Sequence, residues 1–305
     1  MSASLVGSEM CIRDREYYEK HVAFPAGATT EQKIDMASRL VPTPQQLAWQ
    51  QMEFTCFLHF GINTFTGREW GDGKEDPAIF NPTELDCEQW VRALKEGGFK
   101  MAIITAKHHD GFCIWNSAYT DYCVKNTHYK NGKGDVLAEI SEACTKYGLD
   151  MGLYLSPWDI HEPSYGYYDA NGNAATKEND VLDYNDYYNN QLTEILSSDK
   201  YGNNGHFVEV WMDGAKGSGA NAQAYNFTRW FNTIQKYEGI QANYDADCML
   251  FGAGAYTTVR WIGNEDGVAY EDTWSKSNVN VNANTIDSNG NTPYCLLYTS
   301  PSPRD

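Results

Sequence analysis

The sequence predicts an α/β fold of the (β/α)8-barrel type, with parallel strands inside and helices outside. From residue 54 onward, short apolar runs alternate with amphipathic ones. The apolar runs are continuous, which is typical of strands that are buried on both faces. Several of them end directly in polar residues followed by glycine. No Gly-rich phosphate loop follows any of these runs, which argues against an open doubly wound sheet.

The predicted elements follow one another as strand–helix pairs. They are strand 54–62 with helix 86–97, strand 100–106 with helix 134–147, strand 151–156 with helix 180–197, strand 207–212 with helix 221–237, and strands 248–252 and 259–263. These make about six βα units, whereas a closed barrel needs eight, so we expect an incomplete barrel. Long insertions at 63–85, 107–132 and 157–179 suit active-site loops at one barrel face.

The two ends of the chain do not continue the pattern of its middle. Residues 2–15 lack the features of a signal peptide, and residues 295–305 extend no neighbouring pattern. Both resemble translated sequencing-adapter sequence, so we predict foreign segments at 1–15 and 295–305. Residues 16–50 form an N-terminal segment that leads into a barrel at 51–294. On this interpretation the natural termini are missing, and we assign neither a cellular location nor an oligomeric state.

Composition excludes several classes of function. The 305 residues carry a net charge of −18, which argues against a nucleic-acid partner. No run approaches the roughly 18 apolar residues of a membrane helix, so we expect no membrane partner. The eight Cys lack zinc-site spacing and suggest buried thiols. The 21 Tyr and 9 Trp serve mainly as core, although some suit stacking on a sugar.

Polar side chains cluster where the predicted strands end. The run Val208–Met212 ends at Asp213, and a second strand ends at His59. A third strand ends at His108 and His109. Because parallel strands of a barrel open at one mouth, these groups should meet there. This pattern predicts an enzyme.

Five motifs in order carry a resemblance to a known family. They are His59-Phe60-Gly61-Ile62-Asn63-Thr64-Phe65, Ala106-Lys107-His108-His109-Asp110-Gly111-Phe112, Ser156-Pro157-Trp158-Asp159, Val210-Trp211-Met212-Asp213-Gly214 and Arg260-Trp261-Ile262-Gly263-Asn264-Glu265. Together they resemble the α-L-fucosidases of glycoside hydrolase family 29. The last motif, with Arg68–Gly73, is similar to the branch selective for α-1,3/1,4-linked fucose. The likeness covers roughly residues 40–276, and the family's C-terminal β-sandwich has no counterpart here.

The resemblance implies a retaining exo-α-L-fucosidase that acts on fucosylated oligosaccharides or glycoconjugates, with no cofactor and no metal. Asp213 corresponds to the nucleophile and Glu265 to the acid/base, and Glu69 is the reserve candidate for the acid. Retention requires two carboxyl groups about 5–5.5 Å apart. Asp213 could instead be a helix N-cap. Glu265 could be one solvated acid among its acidic neighbours.

The resemblance also assigns substrate-binding residues. His59, His108 and His109 correspond to the family's fucose-binding histidines, although one of the adjacent pair could be structural. Candidate walls and rim of the sugar pocket are Glu69, Trp70, Tyr154, Trp158, Trp211 and Arg260, and Tyr154 could equally belong to the core. Two other functions stay open: a metal-dependent barrel hydrolase, and a non-catalytic fucose-binding remnant of a truncated chain.

Overall fold

The computed structural model describes residues 21–22, 24–39, 42–166, 184–213, 223–239, 248–260, 276–278, 294–296 and 298–299. Its helices are α1 Thr30–Ser38, α2 Pro44–Met52, α3 Cys87–Glu96, α4 Val136–Tyr147, α5 Tyr184–Leu196 and α6 Phe227–Glu238. Its strands are β1 His21–Val22, β2 Thr55–Leu58, β3 Met101–Lys107, β4 Asp150–Leu155, β5 Glu209–Trp211, β6 Met249–Phe251, β7 Val259–Arg260, β8 Lys276–Asn278, β9 Tyr294–Leu296 and β10 Tyr298–Thr299.

Five of these strands form one parallel sheet in the order β2-β3-β4-β5-β6. Sequential parallel neighbours joined by helices are the arrangement of a βα barrel wall, so the predicted α/β class is confirmed. The helices begin where the sequence supplies caps. Asp86, Asp135 and Asn226 each accept a hydrogen bond from a backbone N–H of the first turn of α3, α4 and α6.

The two faces of the sheet belong to two different cores. Along β3, Ala102, Ile104 and Ala106 pack in the large cluster shared with the helices. Met101 and Ile103 belong to a second cluster on the other face, which we call the inner face. The inner cluster also contains Trp49, Tyr154, Met249, Phe251 and Val259. Alternation along a strand therefore sends every second side chain inward, toward the position of a barrel interior.

The predicted sixth strand does not join this sheet within the described part of the chain. The segment predicted as strand 259–263 is described only to Arg260, and β7 pairs in parallel with β10. Thr258 already bonds both the N–H and the C=O of Leu250 on the edge of β6. The predicted strand 54–62 is also shorter: β2 ends at Leu58, and a 3-10 helix occupies Ile62–Phe65. Residues 295–305, predicted to lie outside the fold, include most of β9 and all of β10, and β9 pairs with β1 and β8.

Two further features of the described residues bear on the composition argument. None of the described helices has the length and apolar character that crossing a membrane requires. The six cysteines that the structure describes with side chains are free thiols, and five of them are buried.

Glu209 is a carboxyl group buried inside the protein. Its side chain is fully buried on β5, where Oε2 accepts a hydrogen bond of 2.7 Å from the indole N–H of Trp49. Oε1 has no hydrogen-bond partner among the described residues. Burial raises the pKa of Glu209 to about 7, and the Trp49 hydrogen bond offsets only part of this rise.

We expect Glu209→Gln to be more stable than the wild type at alkaline pH. The pKa of Glu209 is raised in the folded state, so protonated Glu209 makes its full contribution to the free energy of unfolding below the ordinary pKa of 4.5. That contribution is lost as the pH rises to about 7. Glutamine stays neutral and still accepts from Trp49. Urea unfolding should show a gain of about 1–3 kcal/mol for the variant at pH 8 and little difference at pH 4.5. A difference that is independent of pH would contradict this prediction.

Candidate active site

The candidate site lies at the carboxyl ends of the parallel strands. His59 follows β2, His108 and His109 follow β3, and Asp213 follows β5. On β4 and β5, Tyr154 and Trp211 belong to or pack against the inner cluster. Asp213 comes two residues after Trp211, so strand alternation directs it to the same face at the rim. The strand ends thus deliver these groups to one mouth.

Asp213 lies in a small hydrogen-bonded cluster. The hydroxyl of Tyr154 donates to Oδ2 of Asp213 at 2.8 Å. Nε2 of His109 lies 3.9 Å from the same oxygen. The Asp213 side chain keeps 31% of its surface exposed, whereas that of His109 keeps 3%. Tyr154 therefore belongs to both the core and the site, because its ring is buried while its hydroxyl reaches the carboxylate.

The three predicted histidines stand next to one another. The ring centroids of His59 and His108 are 4.6 Å apart, and those of His108 and His109 are 4.1 Å apart. Adjacent residues on a regular strand point to opposite faces, but β3 ends at Lys107. A register shift between Thr105 and Lys107 precedes that end. Lys107 consequently contacts Tyr184 and Gln191 of α5, and both histidines that follow reach the site.

The predicted aromatic walls divide into two groups. Trp70 and Trp158 contact each other edge to face at 5.5 Å, and both contact the His109 ring. Trp70 keeps 51% of its surface exposed, so it forms an open rim. Trp211 stacks on Phe251 at 3.8 Å, deeper on the inner face. The structure thus brings Trp70 and Trp158 against His109, whereas Trp211 packs with the inner cluster.

Burial keeps the histidines uncharged. It lowers the pKa of His59, and the negative charges of Asp213 and Glu69 offset only part of this effect. The pKa of His108 falls to about 3, mainly through burial and then through the neighbouring histidines. The pKa of His109 is also lowered by burial, against the opposing charge of Asp213. Near neutral pH these rings are therefore hydrogen-bonding groups rather than cations.

A cavity of about 250 Å³ opens beside the histidines. It is lined by His59, Phe60, Gly61, Asn63, Thr64, Arg68, Glu69, Thr105, His108, Asp110 and Phe112. Glu69 thus shares a cavity with two of the histidines, as a substrate-binding role requires. Asp213 is not among its lining residues, so the nucleophile candidate lies beside this cavity rather than within it.

Asp110 supports the floor of this cavity. Its Oδ2 accepts a 2.9 Å hydrogen bond from the side-chain amide of Asn63, and its Oδ1 accepts from the N–H of Phe112. Burial raises the pKa of Asp110 to about 7. Its Oδ2 also lies 4.0 Å from Nδ1 of His108, a buried nitrogen without a hydrogen-bond partner in the described structure. Asp110 therefore places a carboxyl oxygen near Nδ1 of His108, beyond hydrogen-bond distance.

Sequence reasoning missed two supporting features. Lys107 and Asp159 form a buried ion pair of 3.0 Å, with side-chain exposures of 0% and 1%. Ser156 contacts Nδ1 of His109 at 2.7 Å. All three residues stand inside the motifs named above, but no role was assigned to them. The sequence signal for the ion pair was Lys107, a lysine directly after the mostly apolar run 101–106.

Two predicted residues fall outside this geometry. Glu265 lies outside the described residues, and Arg260 is described only as part of β7, without its side chain. Their roles stay predictions. Among the described residues, no group of three or more His, Cys, Asp or Glu side chains could hold a metal ion.

Residues 73–275, more than half of the chain, match the family model described as alpha-L-fucosidase. The chain belongs to the α-L-fucosidase family. Alpha-L-fucosidase 1 of Arabidopsis thaliana is 46% identical over 238 residues, which are 78% of this chain and 42% of that protein. The α-L-fucosidase of Dictyostelium discoideum is 31% identical over 150 residues, which are 38% of this chain and 32% of that protein.

Solved structures give the same family. A glycoside hydrolase family 29 fucosidase of Ruminococcus gnavus, solved in complex with fucose, is 56% identical with a TM-score of 0.72. That match covers 85% of this chain and 54% of the Ruminococcus chain. This α-L-fucosidase family member therefore spans about half the length of the Arabidopsis and Ruminococcus fucosidases.

Proposed function

We propose that this chain carries the active centre of a retaining exo-α-L-fucosidase, with Asp213 as the nucleophile and Glu265 as the acid/base. The observation that carries the proposal is the position of Asp213, half-enclosed at a strand end with a tyrosine hydroxyl 2.8 Å from Oδ2. The family of the chain and the fucose complexes of the Ruminococcus gnavus enzyme support fucose as the sugar.

The surroundings of Asp213 suit a nucleophile. Burial and the charge of Asp213 raise the pKa of Tyr154, so its phenol keeps its proton and donates to the carboxylate. A donated hydrogen bond orients the carboxylate and favours its ionised form. The rigid end of β5 holds the attacking group in place, which the formation of a covalent glycosyl-enzyme requires. Retention would then follow from a second displacement by water.

The neighbouring groups suit a deoxyhexose. Uncharged histidines can donate to and accept from ring hydroxyls without the cost of burying a charge. Trp70 and Trp158 offer flat apolar faces at the opening, against which the C–H face of a sugar or its methyl group can pack. Glu69 adds a carboxylate that can bind hydroxyl groups within the same cavity.

Glu265 is proposed as the acid/base from its motif. Trp261 and Ile262 stand beside it in sequence, and apolar surroundings raise the pKa of a carboxyl group into the range that a proton donor needs. The same motif, with Arg68–Gly73, supports a preference for α-1,3/1,4-linked fucose. The activity test is therefore the release of fucose from Lewis-type oligosaccharides, compared with α-1,2- and α-1,6-linked substrates. The full-length Ruminococcus gnavus enzyme serves as the positive control.

We expect Glu265→Ala to damage substrates with poor leaving groups the most. Protonation of the leaving oxygen matters little for an activated aryl fucoside and greatly for an oligosaccharide. The kcat/KM for the oligosaccharide should fall by about 10²–10⁴-fold, with a much smaller loss for 2-chloro-4-nitrophenyl α-L-fucoside. Glu271→Ala, a nearby acid of the same stretch, is the matched control. Equal losses on both substrates would remove Glu265 from the acid role.

The two alternative functions give different results. A metal-dependent hydrolase would lose activity with EDTA and regain it with zinc, whereas the proposed carboxylate mechanism is insensitive to chelation. A non-catalytic module would bind L-fucose and release no fucose from any substrate. Titration of the chain with L-fucose, followed by the hydrolysis assays, separates these outcomes.

A further inference from the structure

One hydroxyl group connects the loop after β4 to the ring of His109. Oγ of Ser156 lies 2.7 Å from the backbone oxygen of Trp158 and 2.7 Å from Nδ1 of His109. A carbonyl oxygen can only accept a hydrogen bond, so the single hydroxyl proton of Ser156 is donated to Trp158. Oγ then offers only lone pairs to the ring. Nδ1 of His109 must therefore carry the proton that joins them.

The proton position determines what the opposite side of the ring can do. A neutral imidazole has one N–H, so a proton on Nδ1 leaves Nε2 as an acceptor. Nε2 lies 3.9 Å from Oδ2 of Asp213, which is beyond hydrogen-bond distance. Burial lowers the pKa of His109 despite the charge of Asp213, and this favours the neutral ring. Two acceptors consequently face each other across the site.

The alternative tautomer would have the opposite effect. With the proton on Nε2, the ring would point an N–H group at the Asp213 carboxylate. It would then compete with a bound sugar as a hydrogen-bond donor to that carboxylate. It would also leave Nδ1 and Oγ of Ser156 as two acceptors 2.7 Å apart, unless the hydroxyl abandoned Trp158. Because both sites are almost fully buried, a lost hydrogen bond there would not be replaced by water.

We propose that Ser156 is a positioning residue that holds His109 in its Nδ1–H tautomer, so that Nε2 accepts a hydrogen bond from a sugar hydroxyl beside Asp213. This inference rests on the proposed function for the identity of the ligand, but not for the position of the proton. The tautomer predicts that the site binds a sugar with a free hydroxyl group next to the reacting carbon. A sugar whose hydroxyl is methylated there should bind less well.

The test is the protonation of the ring nitrogens by NMR. Long-range 1H–15N correlations of the 15N-labelled 305-residue chain distinguish a protonated from a bare imidazole nitrogen, and loss of one signal set in His109→Gln assigns His109. We expect the proton on Nδ1 in the wild type and in Ser156→Thr, which keeps the hydroxyl. In Ser156→Ala we expect it on Nε2. A proton on Nε2 in the wild type, or an unchanged tautomer in Ser156→Ala, would overturn the assignment.

The activity readout follows the same variants. Ser156→Ala should lower kcat/KM for aryl α-L-fucosides by about tenfold, while Ser156→Thr restores it to within about twofold. Equal losses in both variants would overturn the positioning role. A wild-type chain that shows the Nδ1–H tautomer but neither binds nor hydrolyses L-fucosides would overturn the proposed function and leave the tautomer assignment standing.

Discussion

Asp213→Ala is expected to reduce kcat/KM for aryl α-L-fucosides on the order of 10³-fold or more, because the covalent step loses its attacking group. Asp213 lies beyond the cavity that holds Glu69, and Tyr154 donates directly to it. Binding of L-fucose should persist, since the histidines and tryptophans of the site remain.

Azide should partly restore turnover in Asp213→Ala. The small anion can occupy the space left by the carboxylate and attack the anomeric carbon from the same face. The expected product is β-L-fucosyl azide, which NMR identifies by its anomeric coupling. Asp121→Ala is the matched control, because the Asp121 side chain is 92% exposed. An α-configured azide product, or full activity without azide, would remove Asp213 from the nucleophile role.

Lys107→Met is expected to give the largest loss of stability, about 3–5 kcal/mol in the free energy of unfolding. Lys107 and Asp159 are almost completely buried, and Nζ also bonds the side-chain oxygen of Gln191. The substitution leaves Asp159 as a buried charge whose remaining donors are the backbone N–H groups of His161 and Glu162. The loss can be measured by urea unfolding, provided that the slope of the transition stays unchanged.

The exposed pair Lys146–Glu88 is the matched control for this prediction. Both of its side chains are at least half exposed, so water screens the pair, and Lys146→Met should not change the unfolding free energy measurably. Adding Asp159→Asn to Lys107→Met removes the stranded charge and should recover part of the lost stability. A single Lys107→Met variant as stable as the wild type would show that the buried pair contributes no net stability.

The ion pair also connects stability to the site. Lys107 directly precedes the two histidines, and Asp159 directly follows Trp158. Their contact joins the end of β3 to the loop after β4. Gly111 stands against the Asp159 carboxylate with φ of +87°, where a side chain would both clash and strain the backbone. The positions of His109 and Trp158 therefore depend on a buried contact between the residues next to them.

Much of the fold follows from local pattern. Continuous apolar runs followed by amphipathic ones predicted the central strands β3, β4, β5 and β6 to within about two residues at each end. The errors lie where a polar turn competes with strand propensity, as at Ile62–Phe65. The short strand predicted at 259–263 is present as β7 from Val259 to Arg260, but its partner was not predicted. Thr258 bonds both backbone groups of Leu250 on β6, whereas β7 pairs with β10, and such pairings depend on residues that are distant in the sequence.

The sequence by itself determined the strand order, the mouth to which Asp213 and the histidines belong, and the family. Periodicity and strand-ending polar residues are local properties, so they can be read without knowledge of distant neighbours. Only the tertiary structure decided which way the side chains turn at the strand ends and which distant groups pair. The register shift before Lys107, the Ser156 hydroxyl on His109, and the contact of Glu209 with Trp49 across 160 residues all depend on packing between elements.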